Sequence, residues 1–296
     1  MKIEGVYPAL ITPFTKDDEV DEDGLRRLVE YAIEGGVAGI VPCGTTGESA
    51  TLSHDEHKRV VDVVVDCSTV PVIAGSGSNN TKEAIVLTKY AEDVGADACL
   101  VITPYYNKPN VKGLKEHFKL VGDAVDIPLI AYNIPSRTGQ NVNAETMVEL
   151  AAEVENLKGV KEASGDLKQI GTIIMLAAEQ GLDFTVVAGD DFLTLPIMSL
   201  GGKGVISVAA NIAPKPMSEM VDAMLKGEIE KAKEINLRLY PMFKSLFLET
   251  NPIPVKKAAE MMGLLPAGHV RLPLGALSAS NEEKLKAVLK GQGMIG

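Results

Sequence analysis

The chain has 296 residues, 46% hydrophobic and 23% charged, the make-up of a globular protein with a substantial core. A formal charge of −11 and a pI near 5 argue against nucleic acid or an anionic membrane as the main partner. Cys43, Cys67 and Cys99 form no Cys-x-x-Cys pair, which argues against a disulfide framework or zinc knuckle and suggests buried thiols in a reducing compartment.

Met1 to Gly5 carries one basic residue and no apolar h-region, and no apolar run is long enough for a membrane span, so a cytoplasmic location is expected. Val6 to Phe14 predicts a first strand, and Asp21 to Gly35 a helix with Leu25, Leu28, Val29 and Ala32 on one face. Val37 to Pro42 reads as a second strand, ending in Gly44-Thr45-Thr46-Gly47-Glu48-Ser49. Ser53 with Glu56 makes a capping box for a helix to about Asp66. Val70 to Ala74, Ala96 to Thr103 and Ile127 to Tyr132 are the next strands, with helices over 81–95 and 111–125 between them. A helix near 144–154 precedes the strand Leu157 to Ala163, and a helix over 167–180 follows it. Phe184 to Ala188 and Gly204 to Ala209 complete eight strands, with helices near 193–200 and 215–225. Beyond residue 226 only helices are expected, at about 228–248, 253–262 and 280–289.

The strands are continuous apolar runs rather than alternating ones, the mark of a parallel sheet covered by helices. Eight strand–helix units at spacings of roughly 25–30 residues predict an α/β fold, a (β/α)8 TIM barrel, over 1–226, with an open doubly wound sheet as the lesser alternative. Residues 227–296 would form a C-terminal three-helix domain, too small to fold alone and so packed on the barrel or a neighbouring subunit. No Gly-x-Gly-x-x-Gly follows the first strand, which removes the main reason to prefer a dinucleotide fold.

In such a barrel the chemistry lies at the carboxyl ends of the strands. The residues there include Thr45, Thr46, Tyr105, Tyr106, Tyr132, Arg137, Lys161 and Gly189. Lys161 shares its strand face with Gly159 and Ala163, small neighbours that leave room for a long side chain. An amine held inside an apolar sheet titrates low and becomes a nucleophile; the plain alternative is a strand-end lysine that snorkels to water. Likewise, Tyr132 suits a core aromatic as well as a proton carrier, and Arg137 a surface ion pair as well as an anion site. The Gly44 to Glu48 turn lacks a P-loop lysine, but its backbone N–H groups and hydroxyls suit a carboxylate. Together the set fits attack of a neutral lysine on a ketone, with a tyrosine moving protons and threonines holding the carboxylate of a 2-oxo acid. For that, Lys161 must fall from roughly 10.4 toward 7–8. A metal-dependent route is not expected, because His54, His57, His117 and His269 fall in helices or the tail. His54 and His57 are three apart and could share an ion, but read better as a solvated helix start.

The motifs Gly44-Thr45-Thr46-Gly47-Glu48-Ser49, Thr103-Pro104-Tyr105-Tyr106-Asn107, Tyr132 to Gly139, Val160 to Gly165, Gly204 to Ser207 and Asn251-Pro252-Ile253-Pro254-Val255-Lys256 closely resemble the dihydrodipicolinate synthase family. The resemblance runs from about residue 3 to the last helix. It implies a homotetramer, a dimer of dimers, that condenses pyruvate with L-aspartate 4-semialdehyde on the way to diaminopimelate and lysine. It implies no cofactor and no metal, only a covalent imine between Lys161 and pyruvate. Thr45, Tyr132 and Tyr106 would form a proton relay, with Tyr106 reaching in from the adjacent subunit. Thr45 and Thr46 would bind the pyruvate carboxylate and Arg137 that of the semialdehyde, with Gly189 and the Ile206 carbonyl lining the pocket. Sugar-acid lyases of the same superfamily, the N-acetylneuraminate and 2-keto-3-deoxygluconate types, usually lack the Ser-Arg-Thr-Gly continuation, so Arg137 favours the synthase. A tentative lysine effector site would involve Ser49, Ala50, His54, His57, Asn79, Glu83 and Tyr105. A non-catalytic sensor of a 2-oxo acid or lysine is the competing class, and an intact relay counts against it.

Overall fold

Strand and helix alternate through the computed structural model, which describes residues 1–296. The strands are β1 (Gly5–Pro8), β2 (Ile73–Gly75), β3 (Ala98–Ile102), β4 (Leu129–Asn133), β5 (Leu157–Glu162), β6 (Thr185–Ala188) and β7 (Gly204–Ser207). Between them run α1 (Glu22–Glu34), α2 (His54–Cys67), α3 (Thr81–Asp93), α4 (Val111–Gly122), α5 (Pro135–Thr138), α6 (Ala144–Glu153), α7 (Leu167–Glu179) and α8 (Thr194–Ser199). After β7 the chain is helical only: α9 (Pro214–Leu225), α10 (Ile229–Ser245), α11 (Ile253–Met261) and α12 (Ala279–Gly291). The sheet order is β1-β7-β6-β5-β4-β3-β2, with parallel ladders from β2 through β7. The strands are buried along almost their whole length, as continuous apolar runs require of a parallel sheet with both faces covered. The fold class is α/β, a (β/α)8 TIM barrel followed by three helices.

The second of the eight expected strands is present as bridges rather than a ladder. Ala38 N–H donates to Val6 O at 2.8 Å, Val41 N–H to Pro8 O at 3.0 Å, and Leu10 N–H to Val41 O at 2.9 Å. On its other side Ile40 N–H donates to Pro71 O at 2.9 Å. Pro8, Pro42 and Pro71 supply no N–H, so the pairing is interrupted. Gly39 sits where a Cβ would lie 2.6 Å from both Pro71 O and the Tyr7 ring, a close approach open only to glycine. The first strand is shorter than expected for the same reason. Past Pro8 the ladder gives way to single bonds: Ala9 N–H donates to Ser207 O, Leu10 N–H to Val41 O, and Ile11 N–H to the side-chain Oδ1 of Asn211, while the Thr12 side chain donates to Gly47 O.

The chain gathers into two compact units, Met1–Gly5 with Val72–Ile206, and Val6–Pro71 with Ser207–Gly296. In the first, α3 packs on α4, α4 on α6 and α6 on α7 beside the β2–β6 ladders. In the second, α1 packs on α2 and α9, α10 on α9, and α12 on α10 and α11. The capping box forms as expected: Glu56 N–H donates to Ser53 Oγ at 3.2 Å and Ser53 N–H to Glu56 Oε2 at 2.8 Å. Cys43 and Cys99 are buried, but Cys67, in the last turn of α2, is only half-buried. The apolar neighbours of Cys67 in sequence do not all surround it in space.

Candidate active site

Lys161 lies near the carboxyl end of β5 and is 5% exposed. It is in register with Tyr132 on β4 and Val187 on β6, and its Nζ stands 4.2 Å from the centre of the Tyr132 ring. The space for it is made by small residues. A Cβ on Gly189 would lie 3.2 Å from Lys161 Cε and 2.7 Å from Ala163 Cβ, so any larger residue there would press on the amine's stem. Burial pushes the Lys161 amine down to about 7; the charge of Asp191 opposes that shift and the charge of Arg137 adds to it. Around neutral pH about half of the side chains are therefore uncharged, as a nucleophilic amine requires.

The opposite face of these two strands carries a polar brace. Asn133 and Glu162 follow Tyr132 and Lys161, pair in register and are fully buried. Asn133 Nδ2 donates to both Glu162 oxygens at 3.1 Å, Ser164 N–H to Oε1 at 2.8 Å, and Gln169 Nε2 to Oε2 at 3.3 Å. Asn133 Oδ1 accepts from Val142 N–H at 3.2 Å. With its acceptors filled, Glu162 ties the ends of β4 and β5 to the loops that follow them. Burial raises its pKa, against those hydrogen bonds.

The loops beyond the strands hold the other predicted residues of this unit. Arg137 is exposed on α5, and its charge is felt at Lys161. Ile206 is buried on β7, and Gly189 N–H donates to Glu162 O at 2.8 Å. Tyr106 is 90% exposed and takes a left-handed φ of +70°, its N–H donating to Thr138 O at 3.3 Å. A tyrosine so bare is unusual, since an aromatic ring ordinarily buries most of its surface. Of the residues matched to a lysine effector, Asn79 Nδ2 donates to Tyr105 O at 3.1 Å, and Glu83 Oε2 accepts from Ser78 Oγ at 2.8 Å.

The second unit holds Thr45 and Thr46. Thr46 is buried and its Oγ1 accepts from Asn251 Nδ2 at 2.9 Å; Thr45 is half-buried, with its carbonyl accepting from Glu48 N–H at 3.1 Å. Ser49 and Ala50 lie in the short turn after it, ahead of α2. His54 is exposed at the start of α2, but His57 is buried, which corrects the expectation of a solvated pair. Four residues into the helix, its ring falls on the core-facing side with Val60, Val61 and Val64. No group of three or more His, Cys, Asp or Glu side chains is placed to hold a metal ion.

Sequence reasoning gave no role to Asp191, Glu162, Asn133, Glu48 or Lys256. Asp191 stands just past a strand end, the same signal that marked Gly189. The Asn133–Glu162 pair shows itself only once the register is known.

Residues 2–292 match the Dihydrodipicolinate synthetase family. The 4-hydroxy-tetrahydrodipicolinate synthase of Methanosarcina barkeri is 58% identical over 292 residues, 99% of each chain. A crystal structure of dihydrodipicolinate synthase at 53% identity superposes with a TM-score of 0.95, covering 99% of this chain and 100% of that one. The structure of the enzyme from Cyanidioschyzon merolae with lysine bound gives 0.94 at 40% identity, covering 99% of each chain.

Proposed function

The chain belongs to the Dihydrodipicolinate synthetase family, and from that membership we propose how its residues carry out the family's reaction. The reaction condenses pyruvate with L-aspartate 4-semialdehyde to 4-hydroxy-tetrahydrodipicolinate, in lysine and diaminopimelate biosynthesis, through a covalent imine and without an added cofactor. Lys161 Nζ attacks C2 of pyruvate, and water leaves as the imine forms. Loss of a proton from C3 gives the enamine, which attacks the aldehyde carbon. The substrate amine then adds at C2, closes the ring and releases Lys161. One observation carries this reading: a buried amine, held near neutrality by burial, faces a phenol ring 4.2 Å away.

The other roles follow from that one. Tyr132, Thr45 and Tyr106 relay the protons; Thr45 and Thr46 hold the pyruvate carboxylate; Gly189 and the Ile206 carbonyl line the pyruvate site. The bareness of Tyr106 suits a side chain that enters a neighbouring subunit's site, so the working form is an oligomer, a tetramer built as a dimer of dimers. The location is the cytoplasm. We read residues 1–226 as the catalytic (β/α)8 barrel and 227–296 as a C-terminal helical domain, a reading supported by the purely helical character of the chain beyond β7. Arg137 binds the carboxylate of the semialdehyde. Arg137→Met is accordingly expected to raise KM for the semialdehyde about 100-fold, while borohydride trapping of pyruvate stays at the wild-type level. Assay of pyruvate with the semialdehyde, beside N-acetylneuraminate and 2-keto-3-deoxygluconate as cleavage substrates, tests the whole reading; turnover of a sugar acid alone overturns it.

We also read Ser49, Ala50, His54, His57, Asn79, Glu83 and Tyr105 as an effector site for L-lysine, supported by the relative that holds lysine. Millimolar L-lysine is expected to lower the rate. Unchanged rate and Tm at that concentration would remove the assignment.

A further inference from the structure

Lys256 has no part in the mechanism above, yet it is one of two buried lysines in the chain and the more deeply buried of them. Its Nζ meets Glu48 Oε1 at 2.6 Å, and both side chains are 0% exposed. The other carboxylate oxygen of Glu48 accepts from Arg271 N–H at 3.1 Å. The Lys256 ammonium and the Arg271 guanidinium both lie over the Phe14 ring, 4.2 Å and 4.1 Å from its centre. Burial pushes the Lys256 amine down to about 8, with Glu48 opposing the shift. A direct ion pair to a carboxylate keeps that amine a cation and an anchor, unlike Lys161.

What the anchor holds is the turn bearing Thr45 and Thr46. Glu48 takes a left-handed φ of +54°, a conformation non-glycine residues adopt only when their surroundings enforce it. Glu48 N–H closes the turn onto Thr45 O, and Gly47 O is fixed by Thr12 Oγ1 at 2.7 Å. A second tether comes from the same segment as Lys256: Asn251 Nδ2 donates to Thr46 Oγ1. A threonine hydroxyl has one hydrogen to give. With a lone pair already taken by Asn251, that hydrogen is turned away from the amide, and the bond it receives strengthens it as a donor. An anionic carboxylate needs a donor of this kind.

We propose that Lys256 and Asn251 are positioning residues for pyruvate: Lys256 fixes the turn through Glu48, and Asn251 sets the Thr46 hydroxyl as a carboxylate donor. This rests on the reading that Thr45 and Thr46 hold the pyruvate carboxylate, and the test separates the two. The readout is the pyruvate concentration that half-saturates borohydride trapping on Lys161, with KM for the semialdehyde and Tm measured alongside. Thr46→Val is expected to raise half-saturation about tenfold. Lys256→Met alone leaves a buried unpaired carboxylate and is expected to fold poorly, so it is paired with Glu48→Gln, a neutral exchange that keeps the volume. The paired replacement is expected to raise half-saturation about tenfold, and Asn251→Ala about fivefold, with KM for the semialdehyde within about twofold of wild type. Adding Asn251→Ala to Thr46→Val should cost nothing more, because its effect passes through that hydroxyl. Wild-type half-saturation in both the paired replacement and Asn251→Ala, with Thr46→Val raised, overturns the inference and leaves the carboxylate reading standing. An unmoved Thr46→Val overturns both.

Discussion

Lys161→Met is expected to eliminate the borohydride-trapped pyruvate adduct and to lower kcat by about 10⁴-fold or more, because no other group can form the imine. Lys256, the other buried amine, is engaged by Glu48 at 2.6 Å and does not substitute for it. The variant should also melt higher than wild type. The folded amine titrates at about 7, below the ordinary lysine value of 10.5, so the unfolded chain binds more protons than the folded one across that interval. Stability therefore rises with pH from about 7 toward about 10.5, and the penalty of burying the amine is fully present below pH 7. Methionine fills a similar volume with no charge to desolvate, so Tm at pH 7 should rise by roughly 5 °C, a gain that fades as pH approaches 10.5. In wild type, the rate of imine formation should climb through pH 7 as the amine loses its proton. Thermal melts at pH 7 and 10, with mass spectrometry of the reduced complex, check the three outcomes. A lasting pyruvate adduct on the methionine variant would sink the assignment.

Much of this was legible from the chain because the key residues stand at positions with a meaning. Lys161, Tyr132 and Arg137 follow or end apolar strands, and Gly159 and Ala163 announce the room beside the lysine. What stayed hidden depends on register or on distance along the chain. Period-two alternation puts Glu162 behind Lys161, but only the β4–β5 register brings Asn133 opposite it. Glu48 and Lys256 are 208 positions apart, and nothing local to either says that they meet. His57 misleads because a histidine near a capping box looks solvated until the helix face is fixed. Pro42 in the second strand, with Pro8 and Pro71 on the strands beside it, interrupts its ladder without moving it. In each case tertiary contact decided what local pattern left open.

Tyr132→Phe is the sharpest test of the relay, because it takes away the hydroxyl and leaves everything else. The ring that faces Lys161 Nζ at 4.2 Å remains, so the amine stays covered and its lowered pKa is kept. Tyr132 is itself buried on β4, flanked by Ala131 and Asn133, so phenylalanine fits its space without a cavity. The expected result is a fall in kcat of about 10²- to 10³-fold, the usual worth of a positioned proton-transfer group. The pyruvate adduct should still form at saturating pyruvate, only more slowly, and Tm should stay near wild type. Tyr132→Ala would confound these, since it opens a void and lets water reach the amine. A phenylalanine variant that turns over within about threefold of wild type would show that the phenol is packing, and the protons would have to travel by way of other groups. A variant with kcat lowered but the adduct intact would place the phenol's chemistry at proton movement, after Lys161 has taken hold of the substrate.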